Sequence, residues 1–482
     1  MPKEFIVAIE LGSSKMTGIA GQKNMDGSIT VLAVVEEDST SCINKGVIYN
    51  IEKTGQCLTN IVTRLKTILQ QDITKVYVGV GGQSIRSVKN KITKILPDNT
   101  IVSDEMVNEL ADANRNMNYP DQEIVMSTPL EWKLDTQFQT DPVGVQCKQL
   151  EGNFLNFLWR KKFFNSINTC FDNAGIPIAE LFLASQALAE STLTESEKRA
   201  GCMLVDLGAD TTTVSVYYKN FLRHLAVIPL GSNNITRDIA SLQMEEKTAE
   251  AMKLKYGSAY TDNKEIDNTL NYPIDEERQV ESRKFIEIVE ARIEEIIENA
   301  WFQVPGEYAD KLLGGIILTG GGSNMKNIDV AFRNHTHVDK VRVASFVTYN
   351  VTSKDAKINS HDGTMNTILG LLAKGDMNCA GEELSKTLFV GNEAKPAATT
   401  ADLHRTPRNP NEIKDGVVLT AAEKAKAEEE ARRKKEEEEE KIRQAEEEER
   451  KRIAKEKKEN SFFNKAFRKI KQFGKEMISE DE

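Results

Sequence analysis

Three short stretches carry residue types suited to holding phosphate: Glu10-Leu11-Gly12-Ser13-Ser14-Lys15, Asp206-Leu207-Gly208-Ala209-Asp210-Thr211-Thr212, and Thr319-Gly320-Gly321-Gly322-Ser323-Asn324. Each places small residues directly after an apolar run, and the first two begin with a carboxylate. A tight turn lined with backbone N–H and hydroxyl groups can wrap phosphate oxygens, because glycine lets the main chain come close and adopt positive φ. Glu10 and Asp206, at facing strand ends, could hold Mg²⁺ through water, since that ion keeps several waters and takes only one or two carboxylates. Lys15 would offset phosphate charge as a point cation. Singly, each stretch also reads as an ordinary hairpin. No G-x-x-x-x-G-K-[ST] occurs, which excludes a P-loop.

The elements that must position these turns repeat. Residues 5–9 (FIVAI) and 29–35 (ITVLAVV) read as strands, 51–70 as a helix with Leu58, Ile61, Val62, Leu65 and Leu69 near helical spacing, and 75–80 (KVYVGV) as a further strand. The second half opens alike, with strands at 202–207, 213–218 and 221–228 around a turn at Lys219-Asn220. Strand, small polar turn, strand, strand in both halves indicates a duplicated α/β domain. Residues 236–305 turn helical and charged, with Ile293, Ile296, Ile297 and Ala300 on one face, and 312–323 read as a buried strand running into three glycines.

Charge divides the rest. The chain has 482 residues and a formal net charge of −11, and all of that net charge falls in residues 1–422. An acidic body argues against nucleic acid as the main partner, since displacing counterions from phosphate needs a basic face. Residues 376–422, rich in Asn, Thr, Pro and Ala, read as a linker. Residues 423–459 hold 14 basic and 15 acidic side chains; they form either a single helix held by i,i+4 pairs, roughly 55 Å long, or a disordered polyampholyte. The six cysteines are scattered with no CxxC, so neither a disulfide framework nor a structural zinc is indicated. His335-Thr336-His337, read as lying on a strand, has metal-compatible spacing but no third ligand nearby, and a surface pair is the plainer reading. No apolar run reaches the ~18 residues a spanning helix needs, so the chain is expected to be soluble or attached to a membrane only at its surface.

The order of these motifs resembles the actin-like ATPase superfamily, an α/β fold of two duplicated lobes around a nucleotide cleft (Hsp70/actin/sugar-kinase type). IELGSSK, NKGVIYNIE at 44–52, DPVG at 141–144, VDLGADTTTVSVY at 205–217, PLGSNNITRDIA at 229–240, AEAMKLKYG at 249–257 and LTGGGSN at 318–324 are similar, in order, to FtsA, the bacterial actin homologue that tethers FtsZ to membrane. Over residues 5–375 the resemblance implies subdomain 1A (1–83, 167–200 and about 360–375), an inserted subdomain 1C (84–166), 2A (201–235 with 306–359) and 2B (236–305). It puts Glu10, Gly12, Ser13, Ser14 and Lys15 in a first phosphate loop and Asp206, Gly208, Asp210, Thr211 and Thr212 in a second. Gly320, Gly321 and Gly322 would lie under the adenosine of ATP. Glu250 and Lys253, at i and i+3, would reach ribose and adenine, or form only a surface salt bridge. Glu10 replaces the Asp common in actin-like proteins and Ala209 replaces a glycine, so hydrolysis is expected to be weak or absent, with Asp206 orienting any attacking water.

The same resemblance implies self-association into filaments, docking of the FtsZ C-terminal peptide on 2B, and contact with later division proteins through 1C. Residues 461–482 support a surface anchor independently. At 100° per residue, Phe463, Phe467, Ile470, Phe473 and Met477 fall within an apolar arc of about 160°, opposite Lys465, Arg468 and Lys469. Such a helix lies among anionic headgroups, or alternatively docks on the body or in a partner's groove; FtsA proteins end in a membrane-targeting helix of this kind. The expectation is a peripheral protein at the division septum, on the cytoplasmic face of the inner membrane. Competing readings are an actin-fold kinase, which would need a substrate pocket with a general-base Asp and has no use for a lipid-binding tail, an Hsp70-like chaperone, whose β-rich peptide-binding domain the charged residues after Gly375 cannot supply, and the pilus-assembly actin homologue, which shares 1C and against which the amphipathic tail argues.

Overall fold

A computed structural model describes residues 4–98 and 100–381. The segments 382–422, 423–459 and 461–482, and with them the expected lipid-facing residues, lie outside the described residues. Continuous apolar runs become central strands with both faces covered. In the first lobe six strands order as Ile178–Leu183, Val76–Val80, Ile6–Leu11, Lys15–Lys23, Ile29–Asp38 and Val351–Thr352. The helix Ile51–Leu69 starts where the Asn50 side chain accepts from the Lys53 N–H, and it buries Leu58, Ile61, Val62, Leu65 and Leu69 in the first-lobe core.

The second lobe is a sheet ordered Val341–Val343, Gly315–Thr319, Cys202–Leu207, Thr212–Tyr218 and Phe221–Ile228. Helix Ser282–Phe302 buries Phe285, Val289, Ile293, Ile296, Ile297 and Ala300 in the second-lobe core. The sheet does not stop at Phe221–Ile228. Ala226 pairs with Arg86, so strands Arg86–Ile95, Gln149–Arg160, Gln122–Leu134 and Gln137–Gln139 extend it to nine. These four strands and the helix Asp104–Arg115 enclose their own small core around Leu110, Trp132, Leu150 and Phe154. The insertion thus leaves the first lobe in sequence and continues the second lobe's sheet in space.

Two boundaries and one element differ from expectation. Subdomain 1C was expected to run to 166, but the helix Lys161–Ala174 buries Phe163, Ile167, Cys170 and Phe171 in the first-lobe core, so the insertion's strands end at Arg160. The linker was expected from 376, yet Asn378 and Cys379 are fully buried; Cys379 donates its N–H to the Phe5 carbonyl at 2.8 Å and accepts from the Thr74 N–H through its own carbonyl at 2.8 Å. These backbone pairings carry no hydrophobic period, so composition alone reads the segment as loose chain. Finally, His335 lies not on a strand but in helix Ile328–Thr336, with His337 as its left-handed cap. Burial of Ile328, Ala331 and Phe332 drives that helix.

Candidate functional site

Two antiparallel hairpins in matching register build the site. In the first, Glu10 pairs with Thr17 and Leu11 with Met16; in the second, Asp206 pairs with Thr213 and Leu207 with Thr212. Along Ile6–Leu11 every residue is buried except Glu10, and along Cys202–Leu207 every residue except Asp206. The turns match too. A Cβ on Gly12 would meet the Lys15 carbonyl oxygen at 2.5 Å, and one on Gly208 the Thr211 carbonyl oxygen at 2.7 Å, so each turn closes on itself only with glycine at its first position. Each carboxylate strand also has a parallel neighbour, with Glu10 opposite Gly79 and Asp206 opposite Thr319.

Beyond Thr319 the chain enters Gly320 at φ 84° and a 3₁₀ turn over Gly321–Asn324. A Cβ on Gly320 would stand 2.4 Å from Asp206 Oδ1 and 2.7 Å from the Leu207 carbonyl oxygen. The glycine turn and the second carboxylate therefore share one space. Asn324 donates to the Asp362 carbonyl at 2.8 Å, which fastens this turn to the loop before the helix Asn366–Lys374. Behind it, the buried Asn366 side chain donates to Thr319 Oγ1 at 3.0 Å and to the Ala344 carbonyl at 2.8 Å.

Electrostatics single out the two acids. Neither the Glu10 nor the Asp206 carboxyl accepts a hydrogen bond from another described side chain. Burial pushes Glu10 up to about 8, with Asp206 adding repulsion, Lys15 lowering and Glu36 raising it further. Burial pushes Asp206 up to about 6. Burial is the leading cause of both shifts, and repulsion from Asp206 adds to that of Glu10. Two unpartnered acids that resist ionisation together, next to glycine-closed turns, suit a hydrated divalent cation, whose charge would let both ionise.

The remaining expected residues divide. Ser13 Oγ accepts from the Gly46 N–H at 2.8 Å, the Gly12 carbonyl accepts from Ser39 Oγ at 2.7 Å and the Ser14 carbonyl from the Ser39 N–H at 3.3 Å, so the Ser39–Gly46 loop braces the first turn. Lys15 pairs with Glu36 at 2.5 Å. Asp210 is buried and accepts from Asn233 at 2.9 Å, with Arg237 at 3.6 Å. Two expectations need correcting. Thr212 is fully buried and donates to the Leu230 carbonyl at 2.9 Å, so its hydroxyl is turned into the sheet. Lys253 is also buried, and its three protons meet Ser232 O at 3.2 Å, Thr236 Oγ1 at 2.9 Å and Glu250 at 2.6 Å. With Thr236 Oγ1 donating to Glu250 at 2.5 Å, this knot ties helix Glu246–Tyr256 to helix Ser232–Ala240; the ion pair is real, and Lys253 has no proton left for ribose or adenine. His335 does find oxygen neighbours, Glu294 and Glu298 within 4.8 Å, but without His337 and at an exposed place where such clusters commonly hold nothing. Sequence reasoning missed Glu36, Asp362 and Asn366. Glu36 only ends an alternating strand, and the other two sit in a segment without a phosphate-like pattern.

The family model for the cell division protein FtsA matches residues 203–360, and that for the SHS2 domain inserted in FtsA matches residues 82–157. The FtsA of Porphyromonas gingivalis is 29% identical over 428 residues, covering 84% of this chain and 88% of its own length. Both matched regions and this relative make the chain similar to FtsA. The FtsA of Bacillus subtilis is 27% identical over 349 residues, covering 71% of this chain and 79% of its own length. Among solved structures, the PilM–PilN type IV pilus biogenesis complex aligns with a TM-score of 0.55 at 15% identity, over 77% of this chain and 98% of the other; at that identity the likeness is one of fold. The architecture is accordingly the actin-like one with the FtsA-type insertion, and the four strands from Arg86 to Arg160 are that inserted SHS2 domain. No helix among the described residues is long and apolar enough to cross a membrane.

Proposed function

We propose that this chain is an FtsA that binds ATP with Mg²⁺ between its two hairpins, assembles into filaments beneath the cytoplasmic membrane, and holds FtsZ there. The observation that carries the nucleotide reading is the register-matched pair of unpartnered acids, Glu10 and Asp206, each beside a glycine-closed turn. Glu10 and Asp206 would hold the ion, which when bound would supply positive charge to neutralise phosphate oxygens. The turns Gly12–Lys15 and Gly208–Thr211 offer N–H groups to the phosphates, and Gly320, Gly321 and Gly322 give a floor without side chains for the nucleoside. Asp206 orients any attacking water. With a glutamate rather than the shorter aspartate at position 10, turnover is slow.

Attachment rests on residues 461–482. Aromatic burial and five cations give weak single-copy anchoring, and many copies in one filament make it durable. The body's charge explains the long tether, since an acidic surface is repelled by anionic headgroups within a Debye length, about 8 Å at physiological salt. The helical region 236–305 is the proposed seat of the FtsZ C-terminal peptide, and the SHS2 insertion that of later division proteins. Titration of the full chain with the FtsZ C-terminal peptide tests the adaptor role, and saturable binding is expected. Sedimentation with anionic liposomes tests the anchor: replacing Phe467 and Phe473 with Glu should abolish it, and undiminished pelleting would remove the membrane from the proposal.

A further inference from the structure

The Glu36 carboxylate is held between two lysines. Its Oε1 takes the Lys15 ammonium at 2.5 Å, and its Oε2 takes Lys357. Burial alone would raise the pKa of Glu36, but the hydrogen bonds from Lys15 and Lys357 hold it below the usual carboxylate range. The carboxylate is therefore an anion at working pH. Its position matters. Lys15 closes the first turn beside Gly12, and Glu36 is near enough to Glu10 to add to that residue's electrostatic strain. Lys357 belongs to the short helix Ala356–Asn359, five residues before Asp362, whose carbonyl holds Asn324 of the glycine turn. The Asp362 carboxylate is itself within electrostatic reach of Lys15. The loop 357–364 thus runs from the cations at the first hairpin to the glycine turn beside the second.

We propose that Glu36 is a built-in stand-in for the terminal phosphate of the nucleotide, and that Lys357 is a second phosphate-binding cation alongside Lys15, both handed from Glu36 to that phosphate when ATP binds. The inference rests on the nucleotide reading given above. Two cations gripping one carboxylate form the same contact they would make with a phosphate oxygen pair, at similar distances. The lysine side chains are 38% and 53% exposed while Glu36 is 17% exposed, so the cations swing and the carboxylate stays. A contact between Lys357 and phosphate would pull the 357–364 loop, and with it the glycine turn, toward the first hairpin. In this arrangement nucleotides differing by one phosphate are sensed through how completely Glu36 is displaced.

The test compares ATP with ADP, each with excess Mg²⁺, by calorimetric titration of the full-length chain and of the variants Glu36→Gln and Lys357→Gln. Removing the internal competitor should tighten ATP binding about tenfold, the size of one charge-assisted contact, and ADP binding much less. Lys357→Gln should weaken ATP about tenfold while leaving ADP within about threefold. Lys357 lies on the surface, so its substitution tests the idea even if Glu36→Gln costs stability. An unchanged ATP-to-ADP ratio in both variants, with the unsubstituted chain binding normally, overturns the handover while leaving the nucleotide site standing. Absence of nucleotide binding by the unsubstituted chain overturns the site and the handover together.

Discussion

The two hairpins share one backbone and use it differently. Register, turn closure and the single unburied position on the carboxylate strand agree between Ile6–Lys23 and Cys202–Tyr218. Around the first hairpin, however, the space beyond the parallel neighbour is filled. Gly82, at φ 122°, packs against Gly46, where a Cβ would meet the Gly82 Cα at 2.4 Å, and the Gly46 N–H reaches Ser13. Around the second, the equivalent space beyond Thr319 is the glycine turn standing over Asp206. The duplication conserves the closure of the turn, which glycine alone permits, and leaves the neighbouring loop free to specialise. The first hairpin sets its acid on a braced, cation-bearing side, and the second sets its acid beside the open floor.

This asymmetry can be broken from either side. The largest effect is expected at Gly320, where a side chain must enter Asp206's space at a φ that β-branched residues avoid. Gly320→Val should lower Mg-ATP affinity by about a hundredfold and cost about 2 kcal/mol of stability, read by titration and by chemical denaturation. Wild-type affinity would mean that the floor lies elsewhere.

A middle effect is expected from Glu10, with a definite sign in pH. An acid whose folded-state pKa is raised contributes stability below its unfolded value and loses it as pH climbs through the folded one, so the nucleotide-free chain should weaken between about pH 5 and pH 8. Glu10→Gln should flatten that slope and raise the melting temperature at pH 8. Mg-ATP binding should run the opposite way, gaining affinity and releasing protons as pH rises from about 6 to 8. Buffers of different ionisation heat would count those protons, and Glu10→Gln should release fewer. Proton release that the substitution does not change would move the coupling away from the first hairpin.

The smallest effect on binding is expected at Lys253. Because its donors are spent on Ser232, Thr236 and Glu250, Lys253→Met should leave ATP affinity within about threefold while costing about 1–3 kcal/mol of stability, since Glu250 loses its partner. A large affinity loss with unchanged stability would restore Lys253 to the ligand.

How much of this was legible follows from what each element depends on. Cys202–Leu207 and Phe221–Ile228 were placed to the residue, because strand, turn and strand are written locally in apolar runs and glycines. The places of Glu10 and Asp206 near strand ends, and of the glycines in the turns that follow, are written in the same local runs. Thr212 and Lys253 were misjudged because a side chain's direction depends on neighbours far along the chain, Leu230 for the first and Ser232 with Thr236 for the second. Glu36 and Lys357 meet across 321 residues, and nothing in either local sequence announces the other. The anchoring of residues 376–381 was hidden likewise, since backbone pairing with Phe5 and Thr74 leaves no periodic trace.

The most direct measurement of the central claim is calorimetric titration of the full-length chain and of Asp206→Ala with ATP, with and without Mg²⁺. Saturable, Mg²⁺-dependent binding is expected for the unsubstituted chain, with a loss of about a hundredfold or more in Asp206→Ala. Equal affinity in the two proteins, or binding indifferent to Mg²⁺, would contradict the paired-acid site.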